Sequence, residues 1–135
     1  MAIPSLEHMR LSIRTAPDSS VDFVRIVGDV DQSDTVQLGL AARQLVDAKG
    51  STVYVDLGGT TYMGSTLLWF LVDLANDGHA RRPLVLCRPT AVARRMIRLT
   101  RLDEFASVRA DLPRQWPGDD GDAATGRSSE RWASA

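Results

Sequence analysis

The chain has 135 residues, 44% of them apolar, and its 16 basic and 17 acidic side chains nearly cancel. This length and apolar content suffice for one domain with a single core. The balanced charge argues against nucleic acid or an anionic membrane as a partner, because no global field would attract either. The longest apolar run, residues 67–72, is much shorter than the roughly 20 residues that a membrane-spanning helix requires.

The start of the chain and its cysteine content indicate the compartment. A basic segment followed by an apolar stretch, which would direct secretion, is missing at the N-terminus. Cys87 is the single cysteine, so an internal disulfide cannot form. Both features predict a cytoplasmic protein.

The first part of the chain predicts a flexible lead followed by a β-hairpin. Residues 1–8 show no periodicity, whereas residues 9–14 alternate apolar and polar side chains as a half-buried strand does. Turn-forming residues follow at positions 17–20. Residues 21–27 are mostly β-branched or aromatic and predict a second strand that pairs with the first.

An amphipathic crossover helix is predicted next. Asp31 or Ser33 can cap its start, and Lys49 and Gly50 supply stop signals. Its predicted apolar stripe contains Val36, Leu40, Leu45 and Val46.

The middle of the chain predicts a buried strand followed by a second helix. Residues 52–57 are continuously β-prone, as expected of a central strand that is covered on both faces. Residues 58–61 are expected to loosen the chain. Ser65 or Thr66 then starts a helix that is predicted to reach about residue 77, before Gly78 ends it.

The last part of the chain predicts a strand, a helix and a short final strand. Residues 83–87 are apolar and β-prone, and Thr90 can open a helix. That helix carries the apolar side chains Val92, Met96, Ile97 and Leu99. Residues 105–108 predict the last strand, and residues 113–135, which are rich in Gly, Asp, Ser and Pro, predict a disordered tail.

Strands that alternate with helices define the fold class. Parallel neighbouring strands need long connections, so the helices are expected to act as right-handed crossovers. We therefore predict an α/β (α+β) domain over residues 9–112, with a mixed sheet of four to five strands. The crossover helices should pack mainly on one face of that sheet.

Few residues in this pattern suggest catalysis or metal binding. Cys87 lies in an apolar strand, where a buried thiol is expected rather than a nucleophile. Asp29, Asp31 and Asp34 crowd one loop, but a hard cation normally takes six or more oxygens, so turn and capping roles are favoured. We expect no metal, no cofactor and no enzymatic activity.

Four short segments in a fixed order carry the functional prediction. They are Gly28-Asp29-Val30-Asp31, Asp56-Leu57, Tyr62-Met63-Gly64-Ser65-Thr66 and Arg88-Pro89. This order resembles the STAS domain family, in particular the bacterial anti-sigma factor antagonists. The resemblance covers roughly residues 11–108.

The resemblance implies a phosphorylation switch at Ser65, with Thr66 as a secondary position. Gly64 stands where the family usually has Asp, and Leu67 stands where it usually has Gly. By this resemblance, the unphosphorylated chain binds an anti-sigma factor that is an ATP-dependent serine kinase, and phosphorylation releases it. A metal-dependent serine phosphatase would restore binding, so ATP and metal belong to the partners.

The second helix predicts a docking face. On a helical wheel, four side chains share the face expected to pack on the sheet: Leu68, Leu71, Val72 and Ala75. Phe70 falls with Asp73 on the opposite side and Trp69 lies at the border, so both aromatics are expected either to bind a partner or to be covered by a neighbouring helix or the tail. The predicted partner-binding residues are Gly28, Asp29, Asp31, Gly64, Ser65, Thr66, Trp69, Phe70 and Asp73.

Two other functions fit parts of the sequence. A STAS-like binding module that is never phosphorylated, such as a scaffold or a transporter accessory subunit, would use Ser65 only as an ordinary helix cap. An enzyme could use the carboxylates of Asp29, Asp31 and Asp56 on a phosphorylated or nucleotide substrate. No nucleophile–base pair or phosphate cradle supports that second alternative.

Overall fold

The computed structural model describes residues 8–16, 21–47, 52–75 and 83–118. The strands are β1 (Arg10–Thr15), β2 (Val21–Asp29), β3 (Thr52–Tyr62), β4 (Leu84–Cys87) and β5 (Ser107–Arg109). The helices are α1 (Thr35–Asp47), α2 (Ser65–Ala75) and α3 (Ala91–Leu99), with short 3-10 turns at Gln32–Asp34 and Leu102–Glu104. None of the described helices is both long and apolar enough to span a membrane.

The described strands form one mixed sheet in the order β1-β2-β3-β4-β5. β1 is antiparallel to β2, as the predicted hairpin requires, and the β2–β3, β3–β4 and β4–β5 pairs are parallel. The parallel pairs follow from the long crossovers through α1, α2 and α3. The predicted α/β class and the mixed sheet are thus confirmed.

The main core lies between the sheet and all three helices. The sheet contributes alternate residues of its strands, because successive side chains point to opposite faces. These include Val24, Ile26, Val55, Leu57, Leu84 and Leu86. The helices contribute Leu38, Ala41, Leu45, Leu67, Phe70, Leu71, Leu74, Ala93 and Ile97 to the same cluster. This shared core confirms that the helices pack on one face.

The apolar stripe predicted for α1 was partly wrong. Val36 and Leu40 are exposed, whereas Leu38 and Ala41 are buried together with Leu45, which was predicted correctly. The buried side chains are three and four residues apart, and Val36 and Leu40 lie on the opposite side of the helix. The side chain of Val46, the stop signals at positions 49 and 50, and Gly78 fall outside the described residues.

β3 is longer than predicted. Residues 58–61 do not loosen the chain but continue the strand to Tyr62. Two irregularities in the β2–β3 register, one between Arg25 and Val27 and one between Gly28 and Asp29, absorb the extra residues of β3. β3 therefore ends at Tyr62, and only two residues separate it from the start of α2.

The opposite face of the sheet has a smaller core of its own. Val21 and Phe23 of β2 pack there against Trp116, which is 7% exposed. The Phe23 and Trp116 rings meet edge to face at 5.2 Å. Residues 113–118 were predicted to begin a disordered tail, and this is wrong at Trp116. The Trp116 ring covers apolar side chains of β2 that would otherwise be exposed. Positions 119–135 lie outside the described residues.

The predicted N-terminal lead also ends earlier than expected. His8 forms an isolated parallel bridge with Asp29, and Met9 belongs to the main core. Residues 1–7 fall outside the described part of the chain.

Candidate functional site

Ser65 lies at the point where β3 gives way to α2. Two residues, Met63 and Gly64, separate the end of β3 from the helix, and the Gly64 carbonyl accepts the first helical hydrogen bond from the Leu68 amide at 3.1 Å. The Ser65 side chain is exposed and that of Thr66 is half-buried. The predicted helix start is thus confirmed, and a partner can reach the Ser65 hydroxyl.

The first turn of α2 is electrostatically suited to a negative group. The first amides of a helix lack helical acceptors, and the helix dipole adds positive potential there. The first turn of α2 carries no acidic side chain. A phosphoryl group on Ser65 would therefore be tolerated locally without disruption of the helix.

The end of β2 lies beside the end of β3. Gly28 has φ of 95°, a left-handed conformation that favours glycine, and it pairs with Thr60. Asp29 pairs with Tyr62, and its carboxylate accepts a hydrogen bond from the Thr61 hydroxyl. Gly28 and Asp29 are thus held against the strand that leads to Ser65.

Asp31 has a structural role as a cap. It accepts hydrogen bonds from the hydroxyl and the amide of Ser33, at 2.6 and 2.9 Å, and Asp34 accepts from the Asp31 amide at 2.9 Å. These bonds form a capping box. The Ser33 hydroxyl, and then the Ser33 amide, lower the pKa of Asp31 because both stabilise its charged form. Among the described residues, Asp31 forms no hydrogen bond with α2.

The three aspartates of this loop do not form a metal site. No group of three potential ligands is close enough together within the described ranges to hold a metal ion. The capping box accounts for two of these residues, and Thr61 contacts the third.

The Tyr62 ring lies over Gly64. A Cβ atom on Gly64 would lie 2.7 Å from Cε2 of that ring, so the ring would have to turn aside to admit a side chain there. The ring, which is largely exposed, therefore occupies the space that a side chain at position 64 would need. Tyr62 was predicted only as part of a motif, and its exposed ring near Ser65 could not be foreseen from that pattern.

The outward face of α2 carries Ser65, Trp69 and Asp73. Successive members of this set are four residues apart and share one side of the helix. All three are exposed, Trp69 by 66%. The structure thus places a large apolar side chain one turn from the candidate switch.

Phe70 does not belong to the docking face, and of the two outcomes expected for it, coverage within the domain is the one observed. Phe70 is 4% exposed and packs in the main core with Leu67, Leu71 and Leu74. These residues recur at three- and four-residue intervals, so they define the buried side of α2. Leu67 fills that core and does not obstruct the exposed side.

A buried carboxylate lies in the middle of β3, the strand that leads to the switch segment at residues 62–66. Asp56 is 1% exposed and accepts hydrogen bonds from Arg25 Nε at 2.9 Å and from Arg88 Nη2 and Nε at 2.7 and 3.0 Å. The Gly58 amide also donates to Asp56, at 2.9 Å. Because these donors surround the carboxylate, Asp56 orients the strand and is not placed to act as a catalytic base.

Arg88 also explains the glycine at position 58. A Cβ atom on Gly58 would lie 2.7 Å from Arg88 Nε. The guanidinium group therefore covers the backbone there while it holds Asp56. Arg88 belongs to the motif Arg88-Pro89, but its ion pair with Asp56 joins positions 32 residues apart and could not be predicted from local sequence.

Cys87 lies close to the same network and is buried. Burial, and then the charge of Asp56, raise the pKa of its thiol to about 11. Since the thiolate is the reactive form, this cysteine is inert at neutral pH.

The family of the chain follows from a sequence match. The sequence model of a family described as "Mlab, STAS domain" matches residues 13–110, and the chain belongs to that family. No curated protein sequence matches the chain significantly.

Solved structures show the same fold. An anti-sigma factor antagonist from Mycobacterium paratuberculosis is 21% identical, with a TM-score of 0.69 over 92% of this chain and 97% of that chain. The anti-sigma factor antagonist SpoIIAA in its unphosphorylated form is 14% identical, with a TM-score of 0.59 over 87% and 96%. The Bacillus cell fate determinant SpoIIAA in the phosphorylated form is 16% identical, with a TM-score of 0.50 over 87% and 100%.

Proposed function

We propose that the chain is an anti-sigma factor antagonist that binds an anti-sigma factor serine kinase while Ser65 is unphosphorylated and is released once Ser65 is phosphorylated. The observation that carries this proposal is an exposed Ser65 at the first position of α2, one turn from the exposed Trp69. Release of the antagonist would leave the kinase free to hold its sigma factor, which would regulate transcription.

Similar proteins support the proposal. The M. paratuberculosis structure is that of an anti-sigma factor antagonist, and SpoIIAA, another antagonist, has been solved in unphosphorylated and phosphorylated forms. In this chain the corresponding surface has an exposed hydroxyl and an exposed indole, so a partner can contact both at once.

Phosphorylation would change docking more than folding. A phosphoryl group adds about −1.5 to −2 charge and three strong acceptors. The free amides and the helix dipole at the start of α2 tolerate that charge, so the domain remains folded. Desolvation of the same charge against a closely packed partner is costly, and the complex dissociates.

The chemistry would belong to the partners. The kinase supplies ATP and catalyses transfer of the phosphoryl group to the Ser65 hydroxyl, and a serine phosphatase removes it by hydrolysis. The chain itself acts as a binding protein rather than an enzyme, in a cytoplasmic partner switch.

Phosphosite mapping tests the proposal directly. The purified chain is incubated with a candidate kinase encoded in the same genome and with ATP, and phosphate is located by mass spectrometry. We expect modification at Ser65, its loss in Ser65→Ala, and its persistence in the control Thr66→Ala. Phosphate that is absent from Ser65 while the kinase modifies a positive control would contradict the switch.

One observation favours a second function. Gly64 replaces the Asp usual in the switch segment, and the Tyr62 ring fills its place, which alters the surface that a kinase would recognise. A STAS binding module that is never phosphorylated, such as a scaffold or transporter accessory subunit, would accommodate this change. In that case Ser65→Ala and Ser65→Asp should bind the partner equally well.

A further inference from the structure

A groove between α3 and the segment around β5 is separate from the surface that carries Ser65. It measures about 640 Å³ and is open to solvent. Its walls include Arg94 and Arg98 of α3, Arg109 of β5 and the acidic Asp103. The apolar side chains Ile97, Ala106 and Val108 also line it.

The arginines of the groove are available to a ligand. Neither Arg94 nor Arg98 has an ion-pair partner within the part of the chain that the structure describes. Arg109 pairs with Asp111 at 3.2 Å, but both side chains are substantially exposed, so the pair is weak and can be exchanged. With three arginines and one carboxylate, the groove is positively charged.

The charge of the groove is part of a wider segregation. Residues 83–118 contain seven arginines and three carboxylates, whereas residues 21–47 and 52–75 contain two arginines and seven carboxylates. The segment that contains α3 and β5 therefore has an excess of basic residues, and the segments that contain β2, α1, β3 and α2 have an excess of acidic ones. A partner segment that is complementary to the basic groove is thus expected to be acidic.

The backbone of β5 favours a peptide over a nucleic acid. β5 is the outermost strand of the sheet as far as the structure describes it, and the Arg109 carbonyl accepts from the Arg88 amide on the β4 side. Because backbone groups of alternate strand residues point to opposite sides, the amide and carbonyl of Val108 point away from β4. An extended peptide can pair with these groups, and its apolar residues can contact Ile97 and Val108.

We propose that this α3–β5 groove binds an extended, acidic segment of a second partner protein, independently of the Ser65 surface. Carboxylates of that segment would pair with Arg94, Arg98 and Arg109, and apolar residues between them would contact the groove floor. The apolar lining would favour such a segment over a nucleic-acid backbone, which offers phosphates without intervening apolar groups.

A titration followed by NMR tests this proposal on the full chain. The probe is a peptide of about twelve residues that alternates glutamate and valine, and its counterpart with lysine in place of glutamate is the control peptide. With the acidic peptide we expect saturable changes in the backbone amide chemical shifts, confined to α3 and residues 103–110, and an affinity that falls at higher salt. With the lysine peptide we expect no such changes.

Charge-reversal variants make the test specific. Arg94→Glu with Arg98→Glu should weaken binding by about tenfold or more. Arg95→Glu with Arg114→Glu is the matched control, because it reverses the same number of charges at two exposed arginines that do not line the groove, and it should change the affinity by less than about twofold. Thermal unfolding of each variant checks that the exposed substitutions leave the fold intact.

Several results would overturn the proposal. Absence of saturable chemical-shift changes up to about 1 mM peptide would do so. Equal losses of peptide affinity in the control variant and in the groove variant would also do so, because they would mean unspecific charge attraction. Pyrophosphate or single-stranded DNA that competes as strongly as the peptide would identify a site for phosphates instead. Groove shifts that depend on protein concentration without peptide would identify a second copy of the chain as the occupant.

Discussion

Asp56 shows how a single residue fixes the geometry of the switch segment. Its carboxylate joins β2 to the segment after β4 through Arg25 and Arg88, and through the Gly58 amide it sets the direction of β3. Arg25 is itself mostly buried and lies over the Trp116 ring, at 5.2 Å from the ring centroid. Removal of Asp56 would therefore break the ion pairs that its buried carboxylate forms with both guanidinium groups.

We expect Asp56→Ala to lower the free energy of unfolding by about 3 kcal/mol or more, because breaking a buried ion pair by removal of one partner is strongly destabilising. Glu104→Ala is the matched control. It breaks the exposed Arg101–Glu104 pair and should cost less than about 1 kcal/mol. Urea unfolding measures both, and equal costs would contradict a structural role for Asp56.

The thiol of Cys87 gives a pH-dependent prediction. Its pKa is raised from an ordinary value of 9.0 to about 11 in the folded chain, so the unfolded chain loses the proton first as pH rises. The thiol should therefore destabilise the fold progressively across that window and have no such effect at neutral pH.

Comparison with Cys87→Ala isolates this effect. The wild type is expected to lose more unfolding free energy than the variant between about pH 8 and pH 10.5, because other titrating groups are common to both proteins. A difference in stability that stays constant with pH would show that the thiol is not perturbed.

At the scale of the elements, the two faces of α2 have different roles: the buried face stabilises the fold, and the exposed face is expected to bind the partner. Phe70 is buried in the core, whereas Trp69, its neighbour in the chain, is 66% exposed. We expect Phe70→Ala to cost about 3–5 kcal/mol of unfolding free energy. Trp69→Ala should change it by less than about 0.5 kcal/mol yet weaken kinase binding by about tenfold or more.

Unfolding curves and binding isotherms of the two variants provide the measurement. A Trp69→Ala variant that binds the kinase as well as the wild type would remove the indole from the docking surface. A Phe70→Ala variant that is as stable as the wild type would contradict its assignment to the core.

The order of elements was predictable from the sequence, and the faces of two helices were not. Features of consecutive residues are visible in the sequence itself. They include the alternation in β1, the apolar run of β3 and the hydroxyl at position 65. α1 offers two apolar stripes, one through Val36 and Leu40 and one through Leu38 and Leu45. Only packing against the sheet decides which of them is buried.

Contacts between distant residues were beyond local patterns. The contact between Asp56 and Arg88 depends on the sheet order, and the contact between Trp116 and Phe23 depends on where the chain runs after β5. Residues 113–118 have a composition typical of loops, and the apolar face that Trp116 covers becomes apparent only when β2 is in place.

At the scale of the whole molecule, the segment after β5 helps to complete the domain. It leaves one edge of the sheet and brings Trp116 onto β2, and Gly118 lies beside Arg14 of β1 at the other edge. The segment thus shields the sheet face that the helices leave uncovered.

We expect Trp116→Ala to lower the free energy of unfolding by about 3 kcal/mol, as for other buried aromatic residues. Trp132→Ala is the matched control. It lies in the predicted tail, outside the described residues, and should change stability by less than about 0.5 kcal/mol. Equal changes in thermal unfolding for the two variants would contradict a structural role for Trp116 in the segment after β5.

The central claim is that charge added at Ser65 controls docking without unfolding the domain. Isothermal titration of the kinase partner, without ATP, with unphosphorylated and Ser65-phosphorylated chain tests it most directly. We expect phosphorylation to weaken binding by about 100-fold or more, roughly 2.7 kcal/mol, while the circular dichroism spectrum stays unchanged. Equal affinities of the two forms, or a phosphorylated form that has unfolded, would contradict the claim.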